Sequence, residues 1–335
     1  MNKFLVKNLF DKAKLVMTPT RDGYGKGLVK AGEKDERVVV LCADLAESTR
    51  SLWFKEKYPK RFIEVGVAEQ NMATIAAGMA NYGKIPFISS YATFSPGRNN
   101  EQIRTTISLN NLSVKIAGAH AGVSVGPDGA THQALEDMAL MRVQPNMVVI
   151  SPCDAIEAEK ATFAAAFNGK PTYIRLAREK TPVFTTEAMP FEIGKAIVLR
   201  QGKDVTIIAC GPLVYEALLA AEKLEKEGID AEVINNHTIK PLDKKTLLAS
   251  VKKTGAVVTV EEHQIMGGMG SAVAEVLVQN ILVPMELIGM QDKFGQSGTP
   301  DELLNFFGLT HPFIVKAVKK VIFRRGSGQV NKKIK

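Results

Sequence analysis

The chain of 335 residues contains no uninterrupted apolar run near the ~18–20 residues of a membrane span, which excludes an ordinary transmembrane helix. Its first stretch, MNKFLVKNLFDKAK, is too charged and too short in its apolar part to read as a secretory signal. Cysteine is scarce. Cys42, Cys153 and Cys210 lie far apart and odd in number, which excludes a disulfide framework and metal-ligand spacing and points to a reducing cytoplasm. There is no repeat of fixed short period and no low-complexity segment. Neither GxGxxG at the first strand of either half nor GxxxxGK[ST] occurs, which disfavours nucleotide binding by those two devices. Acidic residues are absent from Lys316 to Lys335, where eight Lys or Arg fall, so the net charge of +8 sits in that end and the rest of the chain is balanced. A nucleic-acid binder spreads its basic surface over a folded face. The segment FRRGSGQVNKKIK reads instead as a solvated, frayed tail, with no nucleic-acid partner.

What is present is ordinary for a globular protein, with 45% hydrophobic and 23% charged residues and length enough for two domains. Short apolar runs alternate with longer amphipathic stretches, which predicts α/β layering with mainly parallel sheets flanked by helices. In the first half, strands are predicted at 37–43, 85–91, 112–118, 147–151 and 171–177, with helices at 69–82, 100–109, 132–142 and 154–167. Residues 181–194 hold two prolines and lack periodicity, so they read as a linker. A second set follows, with strands at 204–210, 231–236, 256–262 and 283–289 and helices at 213–227, 243–252 and 270–280. Two further helices close it near 300–307 and 312–322. The expected organisation is a domain over 1–185 that includes the linker, a second over 186–323, and a disordered basic tail over 324–335.

Two glycine-rich loops, GPDGATH (126–132) and MGGMGSAV (266–273), each join a predicted strand to a helix and could present N–H groups to an anion. The second reads as close packing of a helix start on a strand. The densest polar cluster is AGAHAGVSVGPDGATHQALED (117–137), which holds His120, Asp128, His132 and Gln133 where open α/β sheets place ligands. The spacing of its two histidines matches no common zinc pattern, and no metal site is expected. Glu69 opens an otherwise apolar helix directly after a strand. It reads either as a helix-start carboxylate favoured by the macrodipole or as a carboxyl in an apolar wall that can share a proton. Spacing does not choose between the two.

The ordered series VVLCADLAEST, RFIEVGVAEQNM, ISSYATF, GPDGATHQALEDMALMRVQPNMVVISPCD and YIRLAR resembles transketolases. NNHTIKPLD followed by VEEHQIMGGMGSAV resembles the C-terminal domain of the same superfamily, which includes 1-deoxyxylulose-5-phosphate synthases. The likeness covers roughly residues 15–322. It implies a thiamine-diphosphate pyrimidine-binding domain followed by a transketolase C-terminal domain. Whole enzymes of this family carry a further N-terminal domain whose GDG motif helps to bind the diphosphate and its metal, and no GDG occurs here. The expectation is the C-terminal subunit of a split transketolase, acting in the pentose phosphate pathway. A separate N-terminal subunit would hold the diphosphate and Mg2+ or Ca2+, in an α2β2 assembly.

On this resemblance Glu69 contacts the cofactor's aminopyrimidine ring and Phe94 forms the aromatic wall, while Asp44 lines the cofactor interface. His120 and His132 shuttle protons in carbon–carbon cleavage. Asp128 and Gln133 meet sugar hydroxyls, and Arg21, Ser48 and Arg178 hold the sugar phosphate. Arg175, on the predicted strand that leads into Arg178, is a weaker candidate. After Phe94 the run SPGRNNEQ departs from single-chain enzymes, and Arg98 is assigned to the substrate or the partner chain. His237 and His263 read as structural, and the second domain as a dimerisation element. The implied reaction is two-carbon ketol transfer between sugar phosphates. The alternatives are a 1-deoxyxylulose-5-phosphate synthase-like or 2-oxo acid dehydrogenase β-type subunit, or a non-catalytic regulatory paralogue.

Overall fold

A computed structural model describes residues 2–330. Its strands are β1 (Val16–Thr18), β2 (Val38–Cys42), β3 (Phe62–Glu64), β4 (Ile85–Tyr91), β5 (Lys115–Ala119), β6 (Val148–Ile150) and β7 (Thr172–Arg175). They continue as β8 (Thr181–Val183), β9 (Ile197–Arg200), β10 (Val205–Ala209), β11 (Ala231–Asn235), β12 (Thr238–Lys240), β13 (Val257–Gln264) and β14 (Met285–Met290). Strands β2, β5, β7, β10 and β11 are buried along their whole length, as strands covered by helices on both faces are, and the few polar side chains they carry, Lys115, Arg175 and Glu232 among them, are buried with hydrogen-bond partners.

The first sheet has the order β12-β6-β7-β5-β4-β2-β3, parallel except for β12. The second has the order β14-β13-β10-β11-β9, parallel except for β9. The protein is thus two α/β domains with mainly parallel sheets.

The halves are laced together. Strand β12 leaves the second half to extend the first sheet. Conversely, Leu5, Leu9 and Leu15 bury themselves in the core built around β10 and the helix Leu213–Lys226, and Asn2 Nδ2 donates to the Leu199 carbonyl at 2.8 Å. The expected linker is not loose. Residues 181–183 form β8, which pairs antiparallel with β1. The buried carboxylate of Asp154 then accepts the N–H groups of Phe184 and Thr185 at 3.0 and 2.8 Å.

The expected disordered tail is corrected in part. The last helix runs His311–Val330. Arg324 donates to the Met285 carbonyl at 3.0 Å, and Arg325 to the Asp204 carbonyl at 2.7 Å, so basic side chains of the supposed tail are docked on carbonyls. Residues 331–335 lie outside the described residues.

His237 and His263 are both fully buried. The His237 ring packs tilted against Phe191, with centroids 4.4 Å apart, and His263 Nδ1 meets the Gln264 carbonyl at 2.7 Å. Among the described residues no helix is long and apolar enough to cross a membrane.

Candidate active site

In the first sheet the chain turns outward to β3 on one side of β2 and to β4 on the other, so the strand order reverses at the β2–β4 pair. Such a switch point leaves a crevice beyond the carboxyl ends of the strands. The loops after β2, β3, β4, β5 and β7 all open there, and they carry Ser48, Glu69, Phe94, His120 and Arg178 respectively.

Glu69 is the first residue of the helix Glu69–Asn81 and is 1% exposed. Met72 and Ala73 of the same helix are fully buried. Its carboxylate is not alone. Arg98 Nη1 donates to Oε2 at 2.6 Å, and the Ser90 hydroxyl lies 3.5 Å from Oε1. The Arg98 guanidinium also lies over the Phe94 ring, 4.7 Å from its centroid. The expectation for Arg98 faced it toward substrate or a partner; in this chain it lies on Glu69 and Phe94, because a buried carboxylate and an aromatic face both attract a flat cation.

Phe94 stacks on Tyr91 at 5.9 Å and meets the edge of His132 at 5.5 Å. Tyr91 stacks in turn on His120, with centroids 4.0 Å apart. Four rings thus line one side of the crevice. Tyr91 was not singled out from sequence, although its position as the last residue of a buried strand at the switch point was a usable signal.

His120 is 2% exposed and holds φ of +55°, a backbone conformation that costs a non-glycine residue energy and is enriched at functional sites. Arg21, in the first turn of the helix Thr20–Lys34, meets His120 Nε2 and the Ser48 carbonyl with the same Nη1, at 2.8 and 2.9 Å. Burial, and then the charges of Arg21 and Arg178, push the imidazole down to about 3, so it is neutral at physiological pH. His132 is half-buried, with Nδ1 2.9 Å from the Thr131 hydroxyl.

Arg178 donates to the Val125 carbonyl at 2.8 Å and pairs with Asp128 at 3.1 Å. Arg21, Arg50 and Arg178 line one groove of about 400 Å³. Arg50 was missed from sequence. It too has a positive φ, of 66°, and its Nε binds Asp22 at 2.6 Å.

Three expected residues are placed differently. Gln133 is turned inward: its amide nitrogen donates to the carbonyls of Val123, Gly126 and Gln296 at 3.2, 3.1 and 2.9 Å, so it braces the loop rather than presenting its donor to the crevice. Arg175 is also inward, bound to Asp137 at 2.8 Å and to the Glu262 carbonyl at 2.8 Å. Asp44 is exposed, and the contact that holds it is its own N–H on Glu64 Oε1 at 2.7 Å.

The crevice therefore combines a buried carboxylate beside an aromatic face, two histidines and an arginine-lined groove. Such a set suits proton transfer on a flat nitrogen heterocycle and on the hydroxyls of an anionic substrate. Comparison with known proteins gives the class its name. Residues 17–183 match the family described as transketolase, pyrimidine binding domain, and residues 194–314 match transketolase, C-terminal domain. A protein of Methanocaldococcus jannaschii named "Putative transketolase C-terminal section" is 46% identical over 301 residues, 89% of this chain and 94% of that protein. A Clostridium protein named "6-deoxy-6-sulfo-D-fructose transketolase subunit SqwH" is 43% identical and covers 91% of this chain and 95% of its own length. A solved structure titled "Split gene transketolase, inactive beta4 tetramer" superposes with a TM-score of 0.86 at 47% identity, over 91% of this chain and 98% of that one. The chain belongs to the transketolase family.

Proposed function

We propose that this chain is the C-terminal subunit of a split transketolase. It would move a two-carbon ketol unit from a ketose phosphate to an aldose phosphate, together with a separate N-terminal subunit. The observation that carries the reading is Glu69, buried beside Phe94, with His120 and His132 on the same crevice and the arginine groove leading away from them. The nearly full-length match to a protein named as a transketolase C-terminal section, and to one named as a subunit, supports the division into two chains.

The family implies thiamine diphosphate, and the residues present fit its pyrimidine end. Arg98 already demonstrates the two contacts that a flat, N–H-bearing ring needs, one on the Phe94 face and one on the Glu69 carboxylate. The buried Asn99 Oδ1 nearby has no hydrogen-bond partner among the described residues. When bound, the cofactor supplies a nucleophilic carbon and an electron sink for carbon–carbon cleavage. Glu69 would hold a proton at a ring nitrogen, and Phe94 with Tyr91 would orient the ring by its face.

His120, neutral by burial, is in the state to accept a proton from a sugar hydroxyl once Arg21 turns from its Nε2 toward the substrate's anion. His132 serves a second hydroxyl. Asp128 accepts a hydroxyl hydrogen bond, and Arg21, Ser48 and Arg178 receive the phosphate. The partner subunit would bring the diphosphate site and its Mg2+ or Ca2+, in an α2β2 complex. Three free, buried cysteines suit a reducing cytoplasm.

The test is ketol transfer with xylulose 5-phosphate and ribose 5-phosphate, thiamine diphosphate and magnesium, by this chain alone and mixed with a candidate N-terminal half. Activity only in the mixture is expected. In that mixture Glu69→Ala should lower kcat by about 10²–10⁴-fold, the usual worth of a placed acid–base group. Unchanged turnover in that variant would remove Glu69 from the mechanism, and transfer by the chain alone would remove the split-subunit reading.

A further inference from the structure

The groove that holds Arg21, Arg50 and Arg178 is not a property of the first domain alone. Its opposite wall is Thr299, Pro300 and Asp301, contributed by the second domain. That wall is held in place from both sides. Gln133 donates across the domain boundary to the Gln296 carbonyl at 2.9 Å. Gly126 and Gly129 let the loop approach closely: a Cβ on Gly129 would sit 2.8 Å from Ser297 Oγ, and one on Gly126 would sit 3.3 Å from Pro300 Cδ. Thr299 and Glu302 cap each other at the start of the helix Pro300–Phe306, and Leu303 anchors that helix in the core. Asp301 is left exposed, facing the groove, with no ion pair among the described residues.

The charge pattern gives Asp301 its meaning. Arg50 is already matched by Asp22, and Arg178 by Asp128 and Glu179. Among the described residues Arg21 has no ion pair and bonds a neutral imidazole and a carbonyl, with Asp22 near enough to attract it. The attraction left for an incoming anion therefore comes chiefly from Arg21 and from Lys180, which also lines the groove. Asp301 opposes it from across the gap. We propose that the second domain walls the anionic end of the substrate site and that Asp301 is a specificity-determining residue, holding back a dianionic terminal group more than a monoanionic one. The proposal rests on the reading of this groove as the sugar-phosphate end, and it assigns the second domain a part in substrate choice.

The test uses two small anions of similar shape and different charge, methylphosphonate and methanesulfonate, titrated into the full chain at pH 8.5 and low salt. Removing one negative charge from the wall of a half-wet groove is worth roughly severalfold per unit of ligand charge. Asp301→Asn should therefore tighten methylphosphonate by severalfold more than methanesulfonate. Asp292→Asn, an exposed change in the same segment that does not line the groove, should leave both unchanged. Equal tightening of both anions, or none, would overturn the role of Asp301. These titrations need neither partner nor turnover, so their outcome is separate from that of the ketol-transfer assay. In the reconstituted enzyme the same variant should lower KM for the phosphorylated acceptor with little change in kcat, and leave KM for an unphosphorylated sugar unchanged.

Discussion

An arginine can only donate, so the His120 nitrogen that meets Arg21 at 2.8 Å carries the lone pair, and the ring proton belongs on Nδ1. In that tautomer the Nδ1 proton is buried without a hydrogen-bond partner among the described residues. Burial and the neighbouring arginines bring His120 down to about 3, and burial brings His237 down to about 4. In the unfolded chain both rings protonate near the ordinary value of about 6.5. Between that value and the folded one, the unfolded state binds protons that the folded state refuses. Stability from this source is therefore present above about pH 6.5 and is lost as the pH falls toward 3. The ring signals of His120 should show no protonation step above about pH 5 in an NMR titration. The urea midpoint of His120→Gln should depend less steeply on pH between 6.5 and 4 than that of the parent chain. A protonation step near pH 6.5 would mean that the ring is neither buried nor held beside Arg21 in solution.

The helix Thr20–Lys34 carries Arg21 into the site, and nothing in the expected elements placed a helix there. The reason is composition. Its glycines make TRDGYGKGLVK read as a loop, since glycine disfavours an isolated helix by about 1 kcal/mol relative to alanine. Packing overrides that preference. A Cβ on Gly23 would run into the Ala155 carbonyl, and one on Gly27 would lie 2.5 Å from the Glu159 carbonyl, so these glycines let this helix lie directly on the helix Ala155–Ala166. The buried parallel strands were legible because their apolar runs are continuous. The short antiparallel β9 and β12 were not, because neither has a long run of its own. Residues 132–136 were expected to be helical, but the helix begins only at Asp137, because the carbonyl of Ala134 is taken by Gly122 N–H and by Arg175. At the site, sequence identified loop membership but not side-chain direction, which is why Gln133 and Arg175 turned out to face inward. These packing arguments separate two otherwise similar substitutions. Gly78→Ala lies in the exposed part of a helix with no atom within 4 Å and should stabilise by up to about 1 kcal/mol. Gly23→Ala should destabilise by about 1–3 kcal/mol, because backbone cannot yield as a side chain can. Urea denaturation of the two variants checks the contrast, and equal shifts would mean that the two helices do not touch as described.

At the scale of the molecule, the two walls of the anion groove belong to different domains, so the groove is only as well defined as the seam between them. Apolar residues of both domains, such as Met138 and Met141 with Met269 and Val273, share one core across that seam, and buried polar contacts cross it as well. Arg175 at the end of β7 binds Asp137 at 2.8 Å and reaches the Glu262 carbonyl on β13 at 2.8 Å, while Tyr173 donates to the same Asp137 oxygen at 2.6 Å. Glu262 sends its carboxylate back to the Ser124 N–H at 2.6 Å, one step along the loop from the His120 turn. A charge pair this deep adds little over an apolar pair, but removing one partner strands the other in a low-dielectric interior at a cost of about 3–5 kcal/mol. With the first residues packed on the second core and β12 paired to the first sheet, neither domain can open without disturbing the other. Arg175→Ala should therefore lower the denaturation midpoint of the whole chain rather than loosen one half. Fluorescence of Trp53, the single tryptophan and a residue of the first domain, should follow the same curve as far-UV circular dichroism, which reports both. A Trp53 transition that separates from the dichroism curve would show the domains unfolding independently. The seam would then be too weak to hold Asp301 against the arginines.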